Sequence, residues 1–155
     1  MAKPKPIVWN AAADAAENAA RELPKTARAY FRKGRAICRK ESSARTLHRF
    51  RLETKRFRYT LELFRPCYGP GLDRRLALLR EVQTHLGEIS DCAASTELLG
   101  KAQPRFRAFL KHRMSAKIAE LHRFWQQTID APGQEHWWTD YLSRFARKQV
   151  RHEHR

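Results

Sequence analysis

Apolar residues in this chain recur at steps of three and four, and no sustained step of two appears anywhere along its 155 residues. The clearest run is Leu79, Val82, Leu86, Ile89 and Ala93, which places one apolar seam on one face of a helix. Phe106, Leu110, Met114, Ile118, Leu121 and Trp125 form a second run, and Trp138, Tyr141, Leu142 and Phe145 a shorter third. Without a strand signal, elements of this kind bury their stripes only against one another. The expected fold is all-α, an antiparallel helical bundle.

Breakers divide the runs. Asn10 is expected to cap a short Ala-rich helix ending before Pro24, with Pro24 in the first turn of a second helix over 25–40. Ser43 is the expected N-cap of a long helix reaching about Phe64, and Pro66, Gly69, Pro70 and Gly71 make a turn. The next helix runs from Asp73 until Gly100 and Pro104 end it. The one after stops near Asp130, ahead of the Pro132-Gly133 turn. The implied organisation is a flexible leader over 1–9, one helical domain over 10–149 and a basic tail over 150–155.

Charge narrows the function. Lys and Arg number 32 against 16 acids, a formal net charge of +16. A positive field of that size implies a polyanionic partner: nucleic acid, an anionic membrane surface or inorganic polyphosphate. No apolar stretch approaches the ~20 residues that cross a bilayer, so membrane insertion is not expected. Cys38, Cys67 and Cys92 contain no Cys-x-x-Cys pair and are odd in number, which reads as reduced thiols in a cytoplasmic protein.

The most informative segment is 44–64, ARTLHRFRLETKRFRYTLELF. On a helix, Leu47, Phe50, Phe57, Leu61 and Phe64 share one arc, while His48, Arg51, Lys55, Arg58 and Tyr59 line a second arc beside it. Arg45, Arg49 and Arg56 add charge farther round. Between Ala44 and Arg58 six cations face only Glu53. Like charges three or four apart cost a few tenths of a kcal/mol per pair on an isolated helix, so the row suits a ligand better than a scaffold. Arginine grips phosphate oxygens bidentately and lysine adds a point charge.

The pattern H-x-x-R-x-x-x-K-R-x-R-Y at His48, Arg51, Lys55, Arg56, Arg58 and Tyr59 resembles the signature helix of the CHAD family, the conserved histidine α-helical domain. Leu79, Gln83, Leu86, Gly87, Glu88 and Asp91 resemble its second helix, and Trp138, Tyr141, Leu142 and Phe145 more loosely its last. The resemblance implies a helical bundle that binds inorganic polyphosphate without turning it over, in some members on polyphosphate granules. It implies that His48, Arg51, Lys55 and Arg58 face the phosphate chain, that Arg45, Arg49 and Arg56 are secondary contacts, and that Tyr59 adds a hydroxyl or packs beneath the row. Family members usually carry two such halves about a pseudo-twofold. This chain has one histidine helix and no histidine in residues 1–43, so it looks like one half. A twofold homodimer would restore the pair, with the Ala-rich 11–20 segment or the Trp-containing last helix as its apolar surface.

Gln83, Gly87 and Asp91 share one side of their helix. Gln83 and Asp91 are expected to support the row, Asp91 by pairing with Arg51 or Arg58, and Gly87 to admit a neighbouring backbone. No cofactor is implied. The remaining histidines, His85, His112, His122, His136, His152 and His154, lack metal-motif spacing, and no metal site is expected. Nothing marks a nucleophile motif or a Gly-rich phosphate loop, so no catalytic residues are assigned. The alternative is a helical nucleic-acid-binding protein, because the same row attracts DNA and RNA phosphates. Against it stands the absence of a helix-turn-helix, zinc-finger or aromatic RNA-binding motif.

Overall fold

The computed structural model describes residues 6–99 and 101–147. These form helices α1 (Ala15–Cys38), α2 (Ala44–Leu63), α3 (Arg65–Tyr68), α4 (Asp73–Leu99), α5 (Pro104–Phe124) and α6 (Gln134–Arg144), with no strand among the described residues. A 3₁₀ turn over Gly69–Leu72 joins α3 to α4, and a π turn over Trp125–Ile129 extends α5. The expected tail at 150–155 and the start of the leader lie outside the described residues.

Contacts show that sequential long helices run antiparallel. Lys33 pairs with Glu53 and Tyr30 bonds Thr54 between α1 and α2. Glu62 meets Arg80, and Arg58 meets Gln83, between α2 and α4. His85 packs at a tilt against Phe124, and Glu88 pairs with Lys117, between α4 and α5. In each ladder one number rises as the other falls. α6 closes the bundle on α1, where Phe31 meets Trp138 edge-on at 5.8 Å.

The core is aromatic and centred on Trp125. Its ring lies 5.6 Å from Tyr30, 5.9 Å from Phe31 and 5.7 Å from Phe50. The π turn carries Trp125 there: Asp130 N–H reaches back five residues to the Trp125 carbonyl at 2.7 Å and re-aims the end of α5 inward. The indole fits only because α1 offers Gly34. A Cβ at that position would lie 2.0 Å from Trp125 Cζ2. Arg35, one residue on, donates to Asp130 at 2.7 Å and also holds Glu135, tying the turn and α6 to α1.

Two expected boundaries are corrected. α1 is a single helix that passes through Pro24, and its N-cap is Asp14, not Asn10. Pro24 removes an amide that Ala20 would have received, but Ala16, Ala19, Leu23, Ala27, Tyr30 and Phe31 bury one continuous stripe across it. Tertiary packing outweighs the local penalty. Asp14 and Glu17 form a reciprocal capping box. Asn10 instead donates its backbone N–H to the Asn18 side chain at 2.8 Å. The end of the leader is anchored as well, since Trp9 stacks on Phe64 at 6.3 Å and Arg21 donates to the Val8 carbonyl. Ser43 caps α2 as expected, accepting from Thr46 N–H at 3.2 Å.

Candidate polyanion-binding site

α2 is held from both sides by its apolar arc. Leu47, Phe50, Phe57 and Leu61 are buried together with Thr54, so the opposite arc faces outward. His48, Arg45, Lys55, Arg56 and Tyr59 are all exposed, Arg49 likewise, and Arg51 and Arg58 are half-buried at the edge facing α4.

The two acids of α2 are engaged. Glu53 reaches Lys33 on α1 at 2.9 Å, and Glu62 accepts from Arg58 and from Arg80. Among the described residues, Arg45, Arg51, Lys55 and Arg56 make no ion pair. The row therefore carries net positive charge that the fold leaves unneutralised. Tyr59 packs beneath it, with Lys55 Nζ 5.6 Å and Arg58 Cζ 4.6 Å from its ring centroid, a cation–π arrangement that steadies both heads. Leu52 and Leu63 flank Tyr59 and are exposed, and with Lys55, Arg56 and Thr60 they line a shallow open depression.

Arg58 and Arg51 differ despite sharing an edge. Arg58 donates through Nε to Gln83 and through Nη1 to Glu62, so its guanidinium is already committed. Gln83 accepts that Arg58 bond from α4. Asp91 does not: it is exposed and pairs with neither Arg51 nor Arg58, and it is Gln83 and Glu62 that hold Arg58. Arg51 lies two turns earlier on α2, and its Nε is buried without a hydrogen-bond partner among the described residues. A buried donor left unmade costs about 1–3 kcal/mol.

Gly87 corrects another expectation. No backbone approaches it; a Cβ there would have nothing within 4 Å. The α2–α4 ladder sets Gly87 one turn past Gln83, at a level between Arg58 and Arg51. The glycine therefore leaves open space on α4 at that level.

The segments expected as dimer surfaces are partly used within the chain. Ala16 and Ala19 are buried on the inner face of α1, and Trp138 is buried against Phe31 and Phe57. Trp137 packs on Arg75, whose guanidinium carbon lies 3.5 Å from the ring centroid. Cys38 and Cys92 are buried free thiols and Cys67 a half-buried one; burial pushes Cys38 up to about 12 and raises Cys67, so neither offers a thiolate near neutrality. Among the described residues, the α4–α5 ladder brings together His85, Glu88 and Glu120, a constellation absent from the sequence reading. Glu120 stands 32 residues past Glu88, on the next helix, and no local spacing could reveal it. No helix of the described residues is long and apolar enough to cross a membrane.

A family model for the CHAD domain matches residues 2–100. No match was found among curated proteins or among solved structures. The matched span contains α1, α2 and α4, and so holds the histidine helix, its Gln83 contact and the open space at Gly87; on that match the chain belongs to the CHAD-domain family.

Proposed function

We propose that the chain binds inorganic polyphosphate along the outer arc of α2 and the α2–α4 edge, as a binding module without turnover. The observation that carries this reading is the unneutralised row. Glu53 is drawn away to Lys33 and Glu62 pairs with Arg58 at the end of the row, so His48, Arg51 and Lys55 are left one turn apart without counter-charge. A linear polyanion supplies that charge at a matching repeat. Arg51 offers its guanidinium N–H groups to phosphate oxygens, Lys55 a mobile ammonium and His48 an imidazole N–H. Arg45, Arg49 and Arg56 extend the field round the helix, and Arg58 with Gln83 fixes the α2–α4 edge. A twofold homodimer with polyphosphate bridging two rows fits the charge, because the polyanion offsets the repulsion between two strongly basic protomers. A cytoplasmic setting, and recruitment to polyphosphate granules, follow from the same reading.

Competition separates this function from nucleic-acid binding. Labelled long-chain polyphosphate is titrated with the protein at fixed salt, then displaced by unlabelled polyphosphate, duplex DNA or single-stranded RNA at equal phosphate. Polyphosphate is expected to compete at least tenfold better, with its chain length unchanged on a gel after incubation. Equal competition by DNA or RNA favours the nucleic-acid reading, and shortened chains contradict binding without turnover.

A further inference from the structure

On the far side of α4 from the α2 edge, three ligating side chains converge. His85 and Glu88 stand three residues apart on α4, and Glu120 faces them from α5. Their ligating atoms lie within 4.8 Å of one another. We propose that His85, Glu88 and Glu120 form a binding site for a divalent transition-metal ion that bridges α4 and α5, with Lys117 as the internal cation that holds its place.

The chemistry of the set is specific. One imidazole and two carboxylates suit Zn²⁺, with a fourth position open to water. Bonds of about 2.1 Å to a tetrahedral ion place donors roughly 3.4 Å apart, so the three groups need close by little more than an ångström. His85 is positioned for this: its ring packs at a tilt against Phe124, centroids 5.0 Å apart, and neither nitrogen is hydrogen-bonded by a described residue. Packing thus fixes the imidazole while leaving its lone pair available.

Lys117 explains why two carboxylates stay close without a metal. Its Nζ lies 3.1 Å from Glu88 Oε2 and 3.3 Å from Glu120 Oε2, and those two carboxylates raise its pKa. The carboxylate side chains are 44% and 42% exposed, so an ion has a solvent path and the lysine a solvent exit. Exposed pairs of this kind contribute little, whereas a chelated dication engages three ligands on two helices. Metal entry therefore exchanges one charge for two and links α4 to α5 covalently through the ion. It uses none of the α2 row, so the site stands or falls independently of polyphosphate binding.

The test uses Zn²⁺ alone as the probe, competed against a chromogenic chelator at neutral pH. The chain carries His152→Ala and His154→Ala to remove the tail imidazoles. This parent is expected to bind one equivalent, Lys117→Gln to bind at least tenfold more tightly, and His85→Ala at least tenfold more weakly. Saturating Zn²⁺ is expected to raise the thermal midpoint of the parent and not of His85→Ala. Glu120→Gln, a change at a solvent-facing position, provides the same loss should His85→Ala not fold. The proposal is overturned if Lys117→Gln binds no Zn²⁺, or if neither His85→Ala nor Glu120→Gln weakens binding.

Discussion

Gly34 and Gly87 both sit inside long helices, where glycine costs ~1 kcal/mol relative to alanine, yet their surroundings are opposite. Gly34 is pressed against an indole: its missing Cβ is the space that Trp125 Cζ2 occupies. Gly87 faces nothing within 4 Å. The first glycine serves packing, and the core would not close without it. The second has no packing reason, and what it leaves is open space on α4 at a level between Arg58 and Arg51 on α2. A helix-interior glycine thus means two different things in one chain. Only the neighbours decide which.

Breaking the first site should have the largest effect. Gly34→Ala drives a Cβ into a ring fixed by Tyr30, Phe31 and Phe50, and overpacking of a rigid core costs typically 1–3 kcal/mol and sometimes more. The expected loss is about 3 kcal/mol in denaturant unfolding, with Gly34→Ala combined with Trp125→Leu recovering part of it. A near-neutral Gly34→Ala would show that the indole has freedom to move, and would remove the contrast between the two glycines.

The second site sharpens the comparison in the opposite direction. Gly87→Ala is expected to stabilise the fold by up to about 1 kcal/mol, because helix propensity improves and no atom is displaced. Gly87→Gln should keep that stability but fill the open space, weakening polyphosphate binding by roughly three- to tenfold, the worth of about one hydrogen bond. If Gly87→Gln binds as well as the parent, that space is not part of the site.

A smaller effect lies on α5. His122 is half-buried with Nε2 unpaired, and burial lowers its pKa. The unfolded chain then takes up the proton first as pH falls from its ordinary value near 6.5, so stability is full above that value and declines below it. Between pH 7.5 and 5.5 the thermal midpoint should drop by a few degrees, and His122→Gln should flatten the drop. An unchanged drop in His122→Gln would assign it to other groups.

Much of this architecture was legible. The three-and-four spacing located α2, α4, α5 and α6, and Ser43 announced the start of α2. What misled was local chemistry read without its packing partners. Pro24 resembled a boundary because its missing amide is visible in the sequence, while the buried stripe from Ala16 to Phe31 that carries the helix through it is a tertiary fact. Asp14 and Glu17 held a readable capping box, so that signal was available. In the candidate site, the outward row was legible from periodicity alone. The division of labour within it was not, since Gln83 and Glu62 claim Arg58, and Asp91 claims nothing, only once α2 and α4 are in register. Glu120 beside His85 depends on register in the same way.

The central claim is that Arg51 and Lys55 contact the phosphate chain directly while the apolar arc of α2 holds the fold. The most direct measurement is the salt dependence of polyphosphate affinity in the parent and in Arg51→Gln with Lys55→Gln, with helicity checked by circular dichroism. Each phosphate contact contributes about 0.7 to the slope of log affinity against log salt on a single-stranded polyanion. The slope should therefore fall by about 1.4 and affinity at low salt by roughly 100-fold, at about 1.5 kcal/mol per charged hydrogen bond, with helicity unchanged. A fully helical double variant that keeps the parent's slope and affinity would contradict the account.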